Sequence, residues 1–284
     1  MKQIINTLLL SFLSVLTYSQ VGFQVSPGKL FFHQSAGENG TQSVMVKNGG
    51  GSPVLVRCSF GDWHRDSLGN KIYVNPGTLP NSNSKYLKVI PEEFTIQPGE
   101  VRNVEVSMLL PQNKDTNVTN SMLFITQMDE KSLNEGKQKS QQAFMKFRMQ
   151  MAIHVYNEPP QIQYKNIDIQ KVWYQYSVDT LRGLNPQTNK PETTIRPKKE
   201  MRAWIENTGD LIAEGTVRFE LTDKKTLKEF KLEAVPFNSL PGDRLIIAAK
   251  MMADMPKGTY TVVTLVDIGL DQPLKVAESE INFE

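Results

Sequence analysis

The chain has 284 residues, with 32 Lys+Arg against 30 Asp+Glu and a formal charge of +2. That balance lacks the basic surplus of a nucleic-acid binder, and 13 Phe, 8 Tyr and 3 Trp argue against a disordered chain. One Cys excludes an internal disulfide and any multi-cysteine metal centre, and three scattered His give no histidine-rich site, so no metal or cofactor is expected.

Lys2 opens the chain, and Ile4 to Leu16 is apolar apart from Asn6, Thr7, Ser11 and Ser14. Thr17-Tyr18-Ser19 then offers a small residue before Gln20. This is the pattern of a secretory signal peptide, so residues 1–19 are read as an export signal. No later segment reaches the ~18 apolar residues of a transmembrane helix. The mature chain is therefore expected to be exported and without an integral membrane segment.

From there the sequence reads as β-sheet. Short apolar or alternating runs recur at Lys29–His33, Gln42–Lys47, Val54–Phe60, Lys71–Val74, Val101–Leu109 and Met122–Gln127. Turn residues separate them, which predicts a sandwich or barrel of short strands and not alternating strand–helix units. Cys58, among Leu55, Val56 and Phe60, is read as a small buried hydrophobe. Asp62-Trp63-His64-Arg65-Asp66 is the densest polar cluster, and surface salt bridges are expected there. Asp66 to Asn70 predicts a hairpin turn, with Gly69 and Asn70 able to take positive φ. Asp129 to Gln142 is polar and predicts a mobile loop.

From Met145 to Val155 every odd position is apolar: Met145, Phe147, Met149, Met151, Ile153 and Val155. This period of two predicts one strand of roughly 35 Å, about twice the common length. Its apolar stripe either faces a partner's groove or faces the chain's own core. The chain then breaks at Asn157-Glu158-Pro159-Pro160, where two prolines end a strand. Two domains are placed around that break, residues 20–157 and 161–284. Further runs at Arg202–Ile205, Gly215–Leu221, Leu245–Lys250, Thr259–Val266 and Ala277–Phe283 predict a second sandwich. Leu181 to Lys199, rich in Asn, Pro, Thr and Lys, is expected to be a long surface loop.

The halves echo one another. Val46-Lys47-Asn48-Gly49-Gly50 matches Ile205-Glu206-Asn207-Thr208-Gly209, and Pro98-Gly99-Glu100 matches Pro241-Gly242-Asp243. The expected fold class is all-β, two β-sandwich domains of one type in tandem. No nucleophile elbow, zinc-protease helix motif, phosphate-cradling loop or calcium loop occurs, so no catalytic residue is assigned.

Several segments in order carry a resemblance: Val25-Ser26-Pro27-Gly28-Lys29-Leu30-Phe31-Phe32, then Val44-Met45-Val46-Lys47-Asn48 and Gly51-Ser52-Pro53-Val54-Leu55-Val56. Pro91 to Glu100, Asn120 to Thr126, and the alternating strand with its Tyr156…Pro159 exit follow. Over residues 21–160 this order resembles the PapD-like periplasmic chaperones of pilus assembly. The resemblance implies two immunoglobulin-like β-sandwich domains in tandem, and an alternating strand that pairs with an incomplete exported subunit, a recognised mode of β-augmentation. It implies partner-binding by Lys29, Met145, Phe147, Met149, Met151, Ile153 and His154. Such chaperones anchor the client's terminal carboxylate with two basic residues. Lys29 matches the first, whereas His154 stands nearest the second, and an imidazole is largely neutral at pH 7 unless its pKa is raised.

The function this implies is a periplasmic chaperone for exported β-rich subunits of a pilus or surface fibre. An outer-membrane assembly or secretion complex and self-association of the unliganded chain are the further partners implied. The alternative is a non-catalytic immunoglobulin-like accessory component of a cell-envelope secretion or surface assembly.

Overall fold

The computed structural model describes residues 23–66, 68–113, 117–128, 149–184, 187, 191–269 and 272–283. The expected signal peptide, the polar loop at 129–142, and Met145 and Phe147 lie outside the described residues. The chain forms two compact units, one of Met1–Trp63 with Tyr73–Pro159 and one of His64–Ile72 with Pro160–Glu284.

The first unit holds β1 (Phe23–Ser26), β2 (Lys29–Phe32), β3 (Asn39–Asn48), β4 (Val54–Arg65) up to Trp63, and the last two residues of β5 (Lys71–Val74). It continues with β6 (Leu87–Ile90), β7 (Glu93–Ile96), β8 (Val101–Leu109), β9 (Thr119–Met128) and β10 (Gln150–Asn157). One sheet runs β1-β3-β8-β6; the other runs β2-β10-β9-β4-β5, with β7 also on β4. Strand alternation explains their union. Val44 and Val46 of β3 and Val104, Val106 and Met108 of β8 point inward from one sheet. Val56 and Cys58 of β4, Leu123 and Ile125 of β9, and Ile153 and Val155 of β10 point inward from the other. Each such side chain contributes about 1.5–3 kcal/mol by leaving water. Cys58 sits in this core, as read from its neighbours, and burial followed by the Glu92 charge pushes its thiol up to about 11.

The second unit holds β11 (Ile167–Leu184), β12 (Pro191–Asn207), β13 (Ala213–Asp223) and β14 (Glu229–Lys231). After these come β15 (Val235–Ser239), β16 (Arg244–Lys250), β17 (Gly258–Asp267) and β18 (Lys275–Phe283). Its sheets are β11-β12-β16 and β14-β13-β17-β18, with β15 also on β13. Met201, Ala203, Ile205, Leu245 and Ile247 from the first meet Val217, Phe219, Leu221, Tyr260 and Val262 from the second. The all-β fold of two tandem sandwiches therefore stands.

Two expectations need correction. Leu181–Lys199 is not a loop, because Leu181 pairs with Thr194 and Tyr176 with Lys199 in a continuous ladder between β11 and β12. The polar cluster at the end of β4 is not a set of surface salt bridges either. Asp62 is fully buried. Arg65, within the second unit, bonds Asp243 Oδ2 and Asn238 Oδ1, each at 2.8 Å, with 8% of its side chain exposed. Burial pushes the Asp243 carboxyl upward despite that cation. The turn after β4 does form. Asp66 accepts from the Leu68 and Asn70 amides at 2.9 and 2.8 Å, and the Asn70 side chain leads the bonds that hold its carboxyl low. Gly69 has φ of 83°, whereas Asn70 does not take positive φ.

Candidate functional site

The site is the strand β10 and what flanks it. On one side it pairs antiparallel with β9 along its whole length, from Gln150↔Thr126 to Asn157↔Thr119. On the other it pairs in parallel with β2, but only from His154↔Lys29 to Asn157↔Phe32. Among the described residues, Gln150 to Ile153 therefore has a strand on one side alone.

Hydrogen-bond alternation says which backbone groups that leaves outward. Met149 O accepts from Gln127 N at 2.9 Å, so the odd residues exchange bonds with β9. His154 N donates to Gly28 O at 3.2 Å, on the opposite side. By the same parity, the N–H and C=O groups of Gln150 and Ala152 point to the open side. That is half a ladder, ready for another strand.

The side chains follow a second parity. Ile153 is 1% exposed and Val155 is fully buried, both in the first unit's core, and Met151 packs against that core half-buried. At these positions the apolar stripe faces the chain's own interior. Ile153 is therefore a core side chain of the first unit, and Met151 is half committed to that core. Met149 is 37% exposed and lies beyond the first residue of β10. The strand begins at Gln150 in the described residues, so the stripe's upper part is not placed.

On the outer face, Lys29 and His154 stand opposite one another in register. They sit where the open edge begins. The His154 ring stacks on Tyr156 at 5.4 Å and 12°, and Trp63 meets it edge-on at 4.8 Å. The Tyr156 hydroxyl lies 2.9 Å from His154 Nδ1, and Phe31 packs on Tyr156 at 5.1 Å. Lys29 is exposed and His154 half-buried. A basic pair thus borders a rigid aromatic wall.

That wall is held from behind. Asp62 accepts from Thr78 N, Leu79 N and Ser82 Oγ at 2.9, 3.2 and 2.7 Å. Asn83 Nδ2 reaches Val155 O at 3.4 Å, and Trp63 Nε1 donates to Ser121 O at 3.3 Å. Sequence reasoning singled out Lys29 and His154 but missed Trp63, Tyr156 and Phe31. The signal available for Tyr156 was its even-position spacing from His154, whereas nothing local links Trp63 to a strand so far along the chain.

Among the described residues no group of three or more His, Cys, Asp or Glu is arranged to hold a metal ion. None of their helices is long and apolar enough to cross a membrane.

No protein-family model and no curated protein matches the chain. Solved structures do. The chain is similar to fimbrial chaperones over 90% of its length. One match is a chain of the chaperone–tip adhesin complex of CFA/I fimbriae, at 10% identity, TM-score 0.47, and 98% of that chain covered. Another is from the CsuC–CsuE chaperone–tip adhesion subunit pre-assembly complex of archaic Csu pili of Acinetobacter baumannii, at 15% identity, TM-score 0.45 and 97% of that chain. A third is the E. coli chaperone DraB, at 10% identity and TM-score 0.44, covering 92% of this chain and 98% of that one. At 10–15% identity and TM-scores of 0.44–0.47, this is a similarity to those proteins and nothing more.

Proposed function

We propose that the chain is a non-catalytic periplasmic chaperone that holds exported β-rich subunits of a pilus or surface fibre by pairing an edge strand with them. The observation that carries this reading is the half-paired strand β10. Gln150 and Ala152 direct backbone groups to a side where, among the described residues, β2 has already ended. Main-chain pairing of that kind tolerates varied client sequences, while alternate side chains supply selectivity.

Lys29 and His154 border the place where a docked strand would end, and the terminal carboxylate of that strand is the natural counterion. Met149, exposed next to the edge, is a side chain offered to the client's apolar groove, and the alternation of the sequence extends that role to Met145 and Phe147. Methionine suits a groove that differs between clients, because its unbranched chain repacks at low cost.

The decisive variant is Ala152→Pro. Proline removes an N–H, and here the lost N–H faces the open side and not β9. The ladder to β9 survives, so the melt should stay within a few degrees of the parent. Capture of co-expressed periplasmic subunits, measured by affinity purification and mass spectrometry from the native cell, should collapse. Ile153→Pro serves as the contrast, because its N–H faces β9 and its loss should unfold the unit. Lys29→Ala should weaken capture by about 1.5–3 kcal/mol, the scale of a charged hydrogen bond. Unchanged capture in a well-folded Ala152→Pro protein would end the strand-pairing reading. A stable, stoichiometric envelope complex in its place would favour an accessory structural component.

A further inference from the structure

The ladder between β11 and β12 runs on after its neighbours have stopped. β16 pairs with β12 only from Glu206 to Glu200, and one more bond, Met251 N to Lys199 O at 2.9 Å, closes that side. From Tyr176↔Lys199 to Leu184↔Pro191 the two strands have no third strand among the described residues. This ribbon is nine residue pairs in register, about 30 Å at ~3.3 Å per residue. Two-stranded ribbons are marginal in water, so an unsupported one of this length requires an account.

Its two faces differ in kind. Directly paired residues share a face. One face carries Gln175/Glu200, Ser177/Lys198, Asp179/Arg196, Leu181/Thr194 and Gly183/Glu192, polar and of both signs apart from the exposed Leu181, with Lys198 Nζ 2.8 Å from Glu200. The other continues the core face of the sandwich outward. It starts from Tyr174 and Met201, which pack on the core, and goes on through Tyr176/Lys199, Val178/Pro197, Thr180/Ile195 and Arg182/Thr193. Tyr176, Val178 and Ile195 are 52%, 45% and 68% exposed. At the root of this face lies a hollow of about 670 Å³ walled by Tyr174, Tyr176, Pro197, Lys199, Lys257 and Asn282. Lys199 Nζ stands 4.7 Å from the Phe283 ring centroid, on the core side. The charges on this face and hollow are Lys199, Lys257 and Arg182, and no carboxylate is among those residues.

We propose that this apolar face and its hollow dock an extended polypeptide segment that alternates apolar side chains with carboxylates. Charge complementarity chooses the occupant. A second copy set face to face would oppose Lys199, Lys257 and Arg182 to their own kind. It would also bury only ~300 Å² per copy (about 30 by 10 Å), against roughly 800 Å² per partner for a standard interface. A lipid surface is flat on this scale and would leave the concave root empty, whereas a single side chain of a peptide fills it. The inference does not depend on what pairs with β10.

The test uses the purified mature chain and two fluorescein-labelled peptides, one alternating valine or phenylalanine with glutamate and one with lysine in place of glutamate. Fluorescence anisotropy should show the glutamate peptide bound at least about tenfold more tightly than the lysine peptide, with the difference shrinking in high salt. Tyr176→Ser with Ile195→Ser, both exposed and so harmless to the fold, should weaken that binding at least about tenfold. Lys199→Glu with Lys257→Glu should reverse the preference, while Ala152→Pro should leave it unchanged. Equal binding of both peptides, binding of neither, or loss of binding in Ala152→Pro would overturn the proposal. So would a sedimenting dimer that the Tyr176→Ser, Ile195→Ser pair dissolves, or binding to phosphatidylcholine–phosphatidylglycerol vesicles without peptide binding.

Discussion

In the first unit the Asn48 amide donates to Ile96 O at 3.0 Å and Ser52 O at 2.8 Å, while its Oδ1 accepts from Gly50 N at 2.9 Å. In the second, Asn207 donates to Ser239 O at 3.2 Å and Leu211 O at 3.0 Å and accepts from Gly209 N at 3.0 Å. The backbone bonds match too. Asn48 N reaches Glu100 O and Gly99 N reaches Asn48 O, as Asn207 N reaches Asp243 O and Gly242 N reaches Asn207 O. Gly99 and Gly242 hold φ of 75° and 80°. What differs is the next loop. A Cβ on Gly50 would meet only the Asn48 side chain, at 3.2 Å. A Cβ on Gly209 would lie 2.5 Å from Asn166 N and 2.8 Å from Tyr164 O. There the corner also grips the segment entering the unit, since Tyr164 O accepts from Asp210 N and Leu211 N. One hydrogen-bond pattern closes both sandwiches, and the packing around it decides how much substitution each tolerates.

The sharpest way to break this comparison is Gly209→Ala against Gly50→Ala. Backbone atoms cannot yield as a flexible side chain can, so Gly209→Ala should cost about 3 kcal/mol in urea unfolding and Gly50→Ala about 0.5. Equal losses would show that the entering segment moves aside freely. Next come Asn48→Ala and Asn207→Ala, each of which strands buried carbonyls. Each should cost about 2 kcal/mol, and a difference much above one would mean the two corners are not energetically alike. Gly99→Ala and Gly242→Ala should each cost about 1.5 kcal/mol from left-handed backbone alone, because neither Cβ meets an atom within 4 Å.

The smallest effect separates the units by pH. Cys58 belongs to the first unit and its folded thiol titrates at about 11, against 9.0 for the free group. Between those values the unfolded chain releases a proton that the folded chain keeps, so stability present below pH 9 is lost as pH rises. At pH 10 the loss should be about 1 kcal/mol, and it should vanish in Cys58→Ala. An alkaline loss of the same size in the variant would assign it to other groups.

The echo of Asn48 and Asn207 was legible because each position combines a strand end with a fixed turn chemistry. The core stripe Met151, Ile153, Val155 was legible as a period of two, but period alone does not say which body the stripe faces. The ribbon at Leu181–Lys199 was illegible for a physical reason. Both its faces are exposed, so Thr193, Thr194 and Pro197 carry no buried–exposed rhythm, and its Asn, Pro and Thr content reads as loop. The pairing of Lys29 with His154 came only from the resemblance. The rings of Trp63 and Tyr156 meet through sheet order, which no local pattern encodes.

The two parities of β10 also constrain how its length can change. Adding one residue between Met149 and Ile153 would turn the following apolar side chains out of the core, or else turn the outward amides of Gln150 and Ala152 back toward β9. Adding two restores both arrangements. Lineages carrying this strand should therefore gain or lose residues between Met149 and Ile153 in even steps. A survey of relatives of this chain would count in twos along that stretch, whatever the lengths elsewhere.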